Sequence, residues 1–150
     1  MDILKVLAKL GQLEHEASKL YNWFAALYAY DEKARSFFRK LSVEEQTHFD
    51  LVKYQERIVR SAPKDFAGVD IDTQAIDRIL SRMAEFQTVK PTLKDAIRFA
   101  LDIETEIVES YAVTVMDTSN KELPALMKSL TANAKEDHCK ELFRFAASYD

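Results

Sequence analysis

The sequence predicts an all-α domain of four long helices, arranged as two antiparallel hairpins joined by a long crossover that contains a short helix. Composition points to helices first. With 2 Gly and 3 Pro in 150 residues, there are few of the turns a sheet needs, while Leu, Ala, Glu and Lys, all good helix formers, are plentiful. Apolar residues also recur at alternating steps of three and four, the repeat that places them on one face of a helix. A chain of this length buries roughly two thirds of its unfolded surface without cross-links, so one domain spanning residues 1–150 is expected.

In the first segment Leu7, Leu10, Ala17, Tyr21, Phe24 and Tyr28 form one stripe. A second segment, from about Asp31 to Ser61, repeats the pattern with Ala34, Phe38, Leu41, Val52 and Val59, and Pro63 stops it. The connection near Tyr30 and Asp31 is short, so the two helices should lie antiparallel. Pro63, Gly68 and Asp70 mark a loop, followed by a shorter amphipathic stretch from about Thr73 to Phe86; together these make the crossover. A third long helix is expected from Thr92, its cap, to about Asp117, with Leu93, Ile97, Ala100, Ile107 and Tyr111 on its stripe. The fourth runs from Lys121 or Pro124 to Tyr149.

Composition also excludes functions. The formal charge is -4 with acidic and basic residues interleaved, which leaves no concentrated cationic surface for a nucleic-acid backbone. No apolar stretch approaches the ~20 residues needed to span a bilayer. Met1 to Leu10 is interrupted by Asp2, Lys5 and Lys9, unlike a secretion signal, so a cytoplasmic location is expected. The single Cys139 excludes an internal disulfide and a thiolate-only metal site.

Each apolar stripe has a gap that a polar residue fills. The first helix reads Leu7, Leu10, Glu14, Ala17, Tyr21; the second reads Leu41, Glu45, His48, Val52. The third reads Ala100, Glu104, Ile107, Tyr111, and the fourth reads Thr131, Lys135, His138, Leu142. Carboxylates and imidazoles are costly to bury unless something neutralises or coordinates them. A bound cation does this most simply. Residues three apart share a helix face, so Glu45 and His48 can hold one ion, with Glu14 reaching it from the neighbouring helix.

The two halves of the chain repeat this arrangement. Leu13 to Tyr21 reads LEHEASKLY and Ile103 to Tyr111 reads IETEIVESY; in each, an inward Glu precedes a Tyr by seven residues and a His by 34. Two half-sites related by a pseudo-twofold axis are implied. A metal-free hydrogen-bonded network is the alternative for the cluster, and His138 also reads as a core histidine bonded to Tyr111 or Glu104. Tyr21 and Tyr111 read as core residues or as outer neighbours of the site. His15, Glu16 and Glu106 point off the stripes towards solvent. Trp23 and the aromatic run from Tyr21 to Tyr30 read as packing or as the face of a homodimer.

Glu14 with Glu45-x-x-His48, followed by Glu104 and His138, resembles the ferritin-like di-iron carboxylate family, and its rubrerythrin-like branch in particular, over essentially the whole chain. The resemblance implies a ferritin-like four-helix bundle in which each hairpin supplies a Glu and then a Glu-x-x-His around two iron or manganese ions. It implies an oxidoreductase that acts with O2 or peroxide. The second half departs from the pattern, because Lys135 stands where a second bridging carboxylate is expected, and a protonated Lys is no ligand. Three carboxylates and one ammonium balance a single divalent ion, so an altered one-metal site is expected near Glu14, Glu45 and His48, with Lys135 compensating charge at the second position. Glu136 and Glu141 are the candidate replacement ligands. The chain has no Cys-x-x-Cys pair to form a built-in electron donor, and Ile107 stands where rubrerythrins carry an extra glutamate. The expected end of the last helix near Tyr149 argues against cage-type iron storage. Carboxylate and imidazole donors accept iron, manganese or zinc. The competing reading is a non-catalytic metal-binding or interaction bundle.

Overall fold

Two aspartates start the first two helices. In this computed structural model, which describes residues 2–66, 73–116, 125 and 138–149 and only the backbone of 109–116, Asp2 Oδ1 accepts the Lys5 backbone N–H at 3.0 Å. Helix α1 (Ile3–Leu27) follows. Asp31 Oδ1 accepts the Ala34 N–H at 3.0 Å, and α2 (Glu32–Ser61) follows. Each carboxylate satisfies one of the amide donors that a helix start leaves without an internal partner. Thr92 does the same for α4 (Leu93–Met116), its Oγ1 accepting the Asp95 N–H at 3.2 Å.

Along α2 the buried residues are Ala34, Phe38, Leu41, Glu45, His48, Val52, Gln55 and Val59. Their spacing alternates between four and three for the whole helix, which makes a narrow inward seam. Helix α1 packs along it. Position 11 faces Val52 and Lys53, Ser18 bonds to Ser42, and Tyr21 and Phe24 meet Phe38. Residue numbers rise along one helix as they fall along the other, so the pair is antiparallel, as the short turn at residues 28–31 requires. Helix α1 also buries Ile3, Val6, Leu13, Leu20 and Ala25 beyond its expected stripe. Such a wide face serves more than one partner.

Between α2 and α4 the chain forms a short 3-10 helix (Pro63–Phe66) and then α3 (Gln74–Phe86). Helix α3 buries Ile76, Ile79 and Met83 and lies against both α1 and α4. Lys9 Nζ meets Asp77 at 2.6 Å, Phe86 meets Phe24 edge-on, and Phe86 stacks on Phe99 with ring centres 3.9 Å apart. The Tyr28 hydroxyl donates to the Pro91 carbonyl at 2.6 Å, fixing the end of α1 to the start of α4.

Residues 138–147 are helical and run antiparallel to α2. Phe145 stacks on Phe37 with centres 4.0 Å apart, Glu141 pairs with Lys40 at 3.4 Å, and His138 reaches Glu44 and Glu45. All these elements are helices, and the described residues contain no strand. Among them no helix is long and apolar enough to cross a membrane. The earlier part of the expected fourth helix, with Lys135 and Glu136, lies outside the described residues.

Asp31 does two jobs: besides capping α2, its Oδ2 accepts the Tyr149 hydroxyl at 2.8 Å and so ties down the end of the chain. The Ala34 amide, then the Tyr149 hydroxyl, hold the Asp31 carboxyl below its ordinary range. A carboxyl lowered by folding stabilises the fold above its unfolded pKa of about 4, and the contribution is lost as pH falls through the lower folded value. Asp31→Ala should therefore lower Tm near neutral pH, and the gap to wild type should close as the medium is acidified below about pH 4. Calorimetry across that range checks this; a gap independent of pH would contradict it.

Candidate metal centre

Five polar side chains from four helical segments lie inside this apolar frame. Glu45 and Glu104 are 0% exposed, Glu14 is 1%, His138 is 4% and His48 is 7%. Glu14 comes from α1, Glu45 and His48 from α2, Glu104 from α4 and His138 from the segment 138–147. A pair of serines joins α1 and α2 beside them. Ser18 Oγ donates to the Ser42 carbonyl at 2.9 Å and Ser42 Oγ donates to the Ser18 carbonyl at 2.8 Å. Ser18 is one turn past Glu14 and Ser42 one turn before Glu45, so this reciprocal pair ties α1 to α2 close to the buried carboxylates.

Glu45 is the hinge of the cluster. Its Oε2 lies 3.4 Å from Nδ1 of His48, and its Oε1 lies 3.0 Å from Nδ1 of His138. One carboxylate thus spans two imidazoles, using a different oxygen for each, and the two ring centres are 4.9 Å apart. Glu14 Oε2 approaches the same His48 nitrogen at 3.7 Å. Glu45, His48 and His138 each offer a donor atom within 4.8 Å of the others. An ion bound about 2.1 Å from each donor needs donors no more than about 4.2 Å apart, so the set is open by only several tenths of an ångström. Two imidazoles and a hard carboxylate are a donor set that iron, manganese or zinc accepts.

Glu104 joins through a tyrosine. The Tyr21 hydroxyl donates to Glu104 Oε1 at 2.7 Å. Burial pushes the Tyr21 pKa well above its ordinary value, and the nearby Glu104, Glu45 and Glu14 carboxylates push it further. Tyr21 therefore stays a neutral donor, and all three carboxylates lie within electrostatic reach of its oxygen. Tyr21, on the first hairpin, holds the inward glutamate of α4. The reciprocal pair would use Tyr111, whose side chain lies outside the described residues.

The remaining sequence-derived positions separate clearly. Lys135 and Glu136 lie outside the described residues. The Glu141 carboxylate is engaged by Lys40, with both oxygens 3.4 Å from its Nζ. His138 meets Glu45 and Glu44. His15 is exposed and packs on the Phe49 ring. Glu106 pairs with Arg82, so it belongs to the contact between α3 and α4 and is not a solvated group alone. Of the aromatic run, Tyr21, Phe24 and Tyr28 are buried in the core, while Tyr30 is 79% exposed.

Sequence reasoning missed Glu44, whose Oε2 lies 2.5 Å from Nε2 of His138. It is off the inward stripe, and its side chain keeps 30% exposure. A signal for it exists. Phe37, Lys40 and Glu44 repeat at three and four along one flank of α2, and Phe145, Glu141 and His138 repeat at four and three in the opposite direction. The two series pair as ring on ring, cation on anion, and carboxylate on imidazole.

Comparison with family models, curated proteins and solved structures gives no match for this chain. The Tyr21 contact yields a direct test. A hydrogen bond to a carboxylate contributes about 1.5–3 kcal/mol, so Tyr21→Phe should lower the unfolding free energy by about that amount in urea denaturation. No loss would show that Glu104 is held by its other contacts.

Proposed function

We propose that this chain is a ferritin-like four-helix-bundle metalloprotein, two hairpins joined by the crossover that carries α3, with an iron-dependent oxidoreductase activity towards O2 or peroxide. The observation that carries the reading is Glu45 spanning Nδ1 of His48 and Nδ1 of His138 inside the core. Glu45, His48 and His138 would hold the ion, with Glu14 beside His48. Iron would supply one-electron exchange with O2 or peroxide. The chain's own residues do the rest: Tyr21 orients Glu104, and the aromatic layer of Phe24, Phe38 and Phe145 closes one end of the core against water. Lys135 in place of a second bridging carboxylate supports one ion per chain over two.

A specific observation favours a second reading. His138 lies between Glu44 and Glu45, and an ion-pair cluster of this kind offsets part of the burial cost without a metal. The bundle would then be a non-catalytic interaction or metal-binding protein. Mass spectrometry after anaerobic loading with ferrous iron or manganese separates these readings. One retained ion per chain, abolished by Glu45→Ala, together with consumption of O2 or peroxide by the iron-loaded protein, is the expected result. A retained ion without turnover would favour the binding module, and no retained ion would overturn the metal reading.

A further inference from the structure

We propose that the groove between α4 and residues 143–149 binds a small amphipathic carboxylate of the medium-chain fatty-acid class, its head on Lys94 and Arg98 and its tail along the apolar floor. The groove encloses about 300 Å³, at the small end of the range for ligand sites. It shares no residue with the buried polar cluster, so the inference does not rest on a metal being bound there. From α4 come Lys94, Ile97, Arg98 and Leu101, spaced three and four apart on one face of the helix. The opposite wall carries Phe143, Ala146 and Ala147, spaced in the same way. The two alanines, with a single side-chain carbon each, leave the space that larger residues would fill. Tyr149 completes the lining, its hydroxyl bonded to Asp31 at 2.8 Å.

The last helical segment thus has two working sides. Glu141 and Phe145 engage Lys40 and Phe37 of α2. Phe143 is two residues from each, about 200° around the helix, and keeps 66% of its surface exposed beside the groove. Buried Ile97 and half-buried Leu101 and Ala146 continue the apolar surface inward. Lys94 and Arg98 supply the charge. Both are exposed, and neither forms an ion pair among the described residues, although Asp95 and Asp102 lie on the same helix. Like charges one turn apart repel, and an anion placed between them removes that repulsion. The Arg98 guanidinium can take both oxygens of a carboxylate, and the Lys94 ammonium adds a point charge. An inorganic anion would leave the apolar floor unused, and a neutral apolar molecule would leave the two cations unused. A carboxylate with an acyl tail uses both.

Calorimetric titration of the full chain with octanoate, butanoate and 1-octanol tests this, with amide NMR shifts to locate the ligand. Octanoate should saturate one site and shift amides within 94–101 and 143–149. Shortening the tail should weaken binding by up to about fourfold per CH2 group removed, and 1-octanol should bind about 5–10-fold more weakly than octanoate. Arg98→Glu should weaken octanoate binding by at least the same factor, and Ala147→Phe, which fills the groove without changing charge, should abolish it. Both positions are exposed, so the fold should survive either change, as circular dichroism would verify. No saturable binding, equal affinity for octanoate and 1-octanol, or binding that both variants leave unchanged would overturn the proposal. Binding to phosphatidylglycerol vesicles with no response to monomeric octanoate would overturn it as well, in favour of a membrane-surface patch.

Discussion

A carboxylate enclosed between two imidazoles from different helical segments imposes the strongest demand on this chain. Moving Glu45 out of water is expensive, and the cost is offset only if both rings stay within reach of its oxygens. The His48 ring is easily kept there, because it lies one turn away on the same helix. The His138 ring comes from a segment more than eighty residues distant in sequence, so its place depends on everything that seats residues 138–149 against α2. Phe145 on Phe37, Glu141 on Lys40 and the Tyr149 hydroxyl on Asp31 do so along one line of contacts. The polar centre and the far end of the last helix are in this way one mechanical unit.

The core around the cluster is divided by chemistry. On the side of the α1–α2 turn, Tyr21, Phe24, Tyr28, Phe38 and Phe145 pack ring against ring. Such contacts prefer tilted and edge-on arrangements, which fix side-chain positions more tightly than aliphatic packing does. Tyr21 belongs to both regions, its ring in the aromatic layer and its hydroxyl on Glu104. On α1 and α2 the two serines exchange hydrogen bonds with each other's backbone carbonyls and tie the helices together. The low exposure of the five polar residues follows from these neighbours.

Much of this was legible from the sequence because a helix writes its buried face into its spacing. The all-helical fold, the Asp31 to Ser61 helix, the short helix beginning after Thr73 and the Thr92 cap could all be read from steps of three and four and from Pro and Thr positions. The inward placement of Glu14, Glu45, His48, Glu104 and His138 belongs to the same register. What the spacing could not give was pairing across helices. Glu44 looks like a surface glutamate until residues 138–147 are laid antiparallel on its flank, and Glu106 looks solvated until α3 brings Arg82 to it. Ser18 and Ser42 are unremarkable singly and meaningful only opposite each other. Gln55 continues the α2 seam as a buried polar residue for which the contacts described give no functional account.

If the buried cluster is a metal centre, Glu45, His48 and His138 converge on one cation. Diffraction from crystals grown with Mn(II) or Zn(II), with anomalous difference maps measured at the metal's absorption edge, addresses it most directly. An ion held there would give a peak among the Glu45 carboxylate, Nδ1 of His48 and Nδ1 of His138, with Glu14 drawn towards it. A map with no peak in the core, or with ions only on surface carboxylates, would contradict a metal centre and leave the cluster as a polar network that the fold sustains on its own.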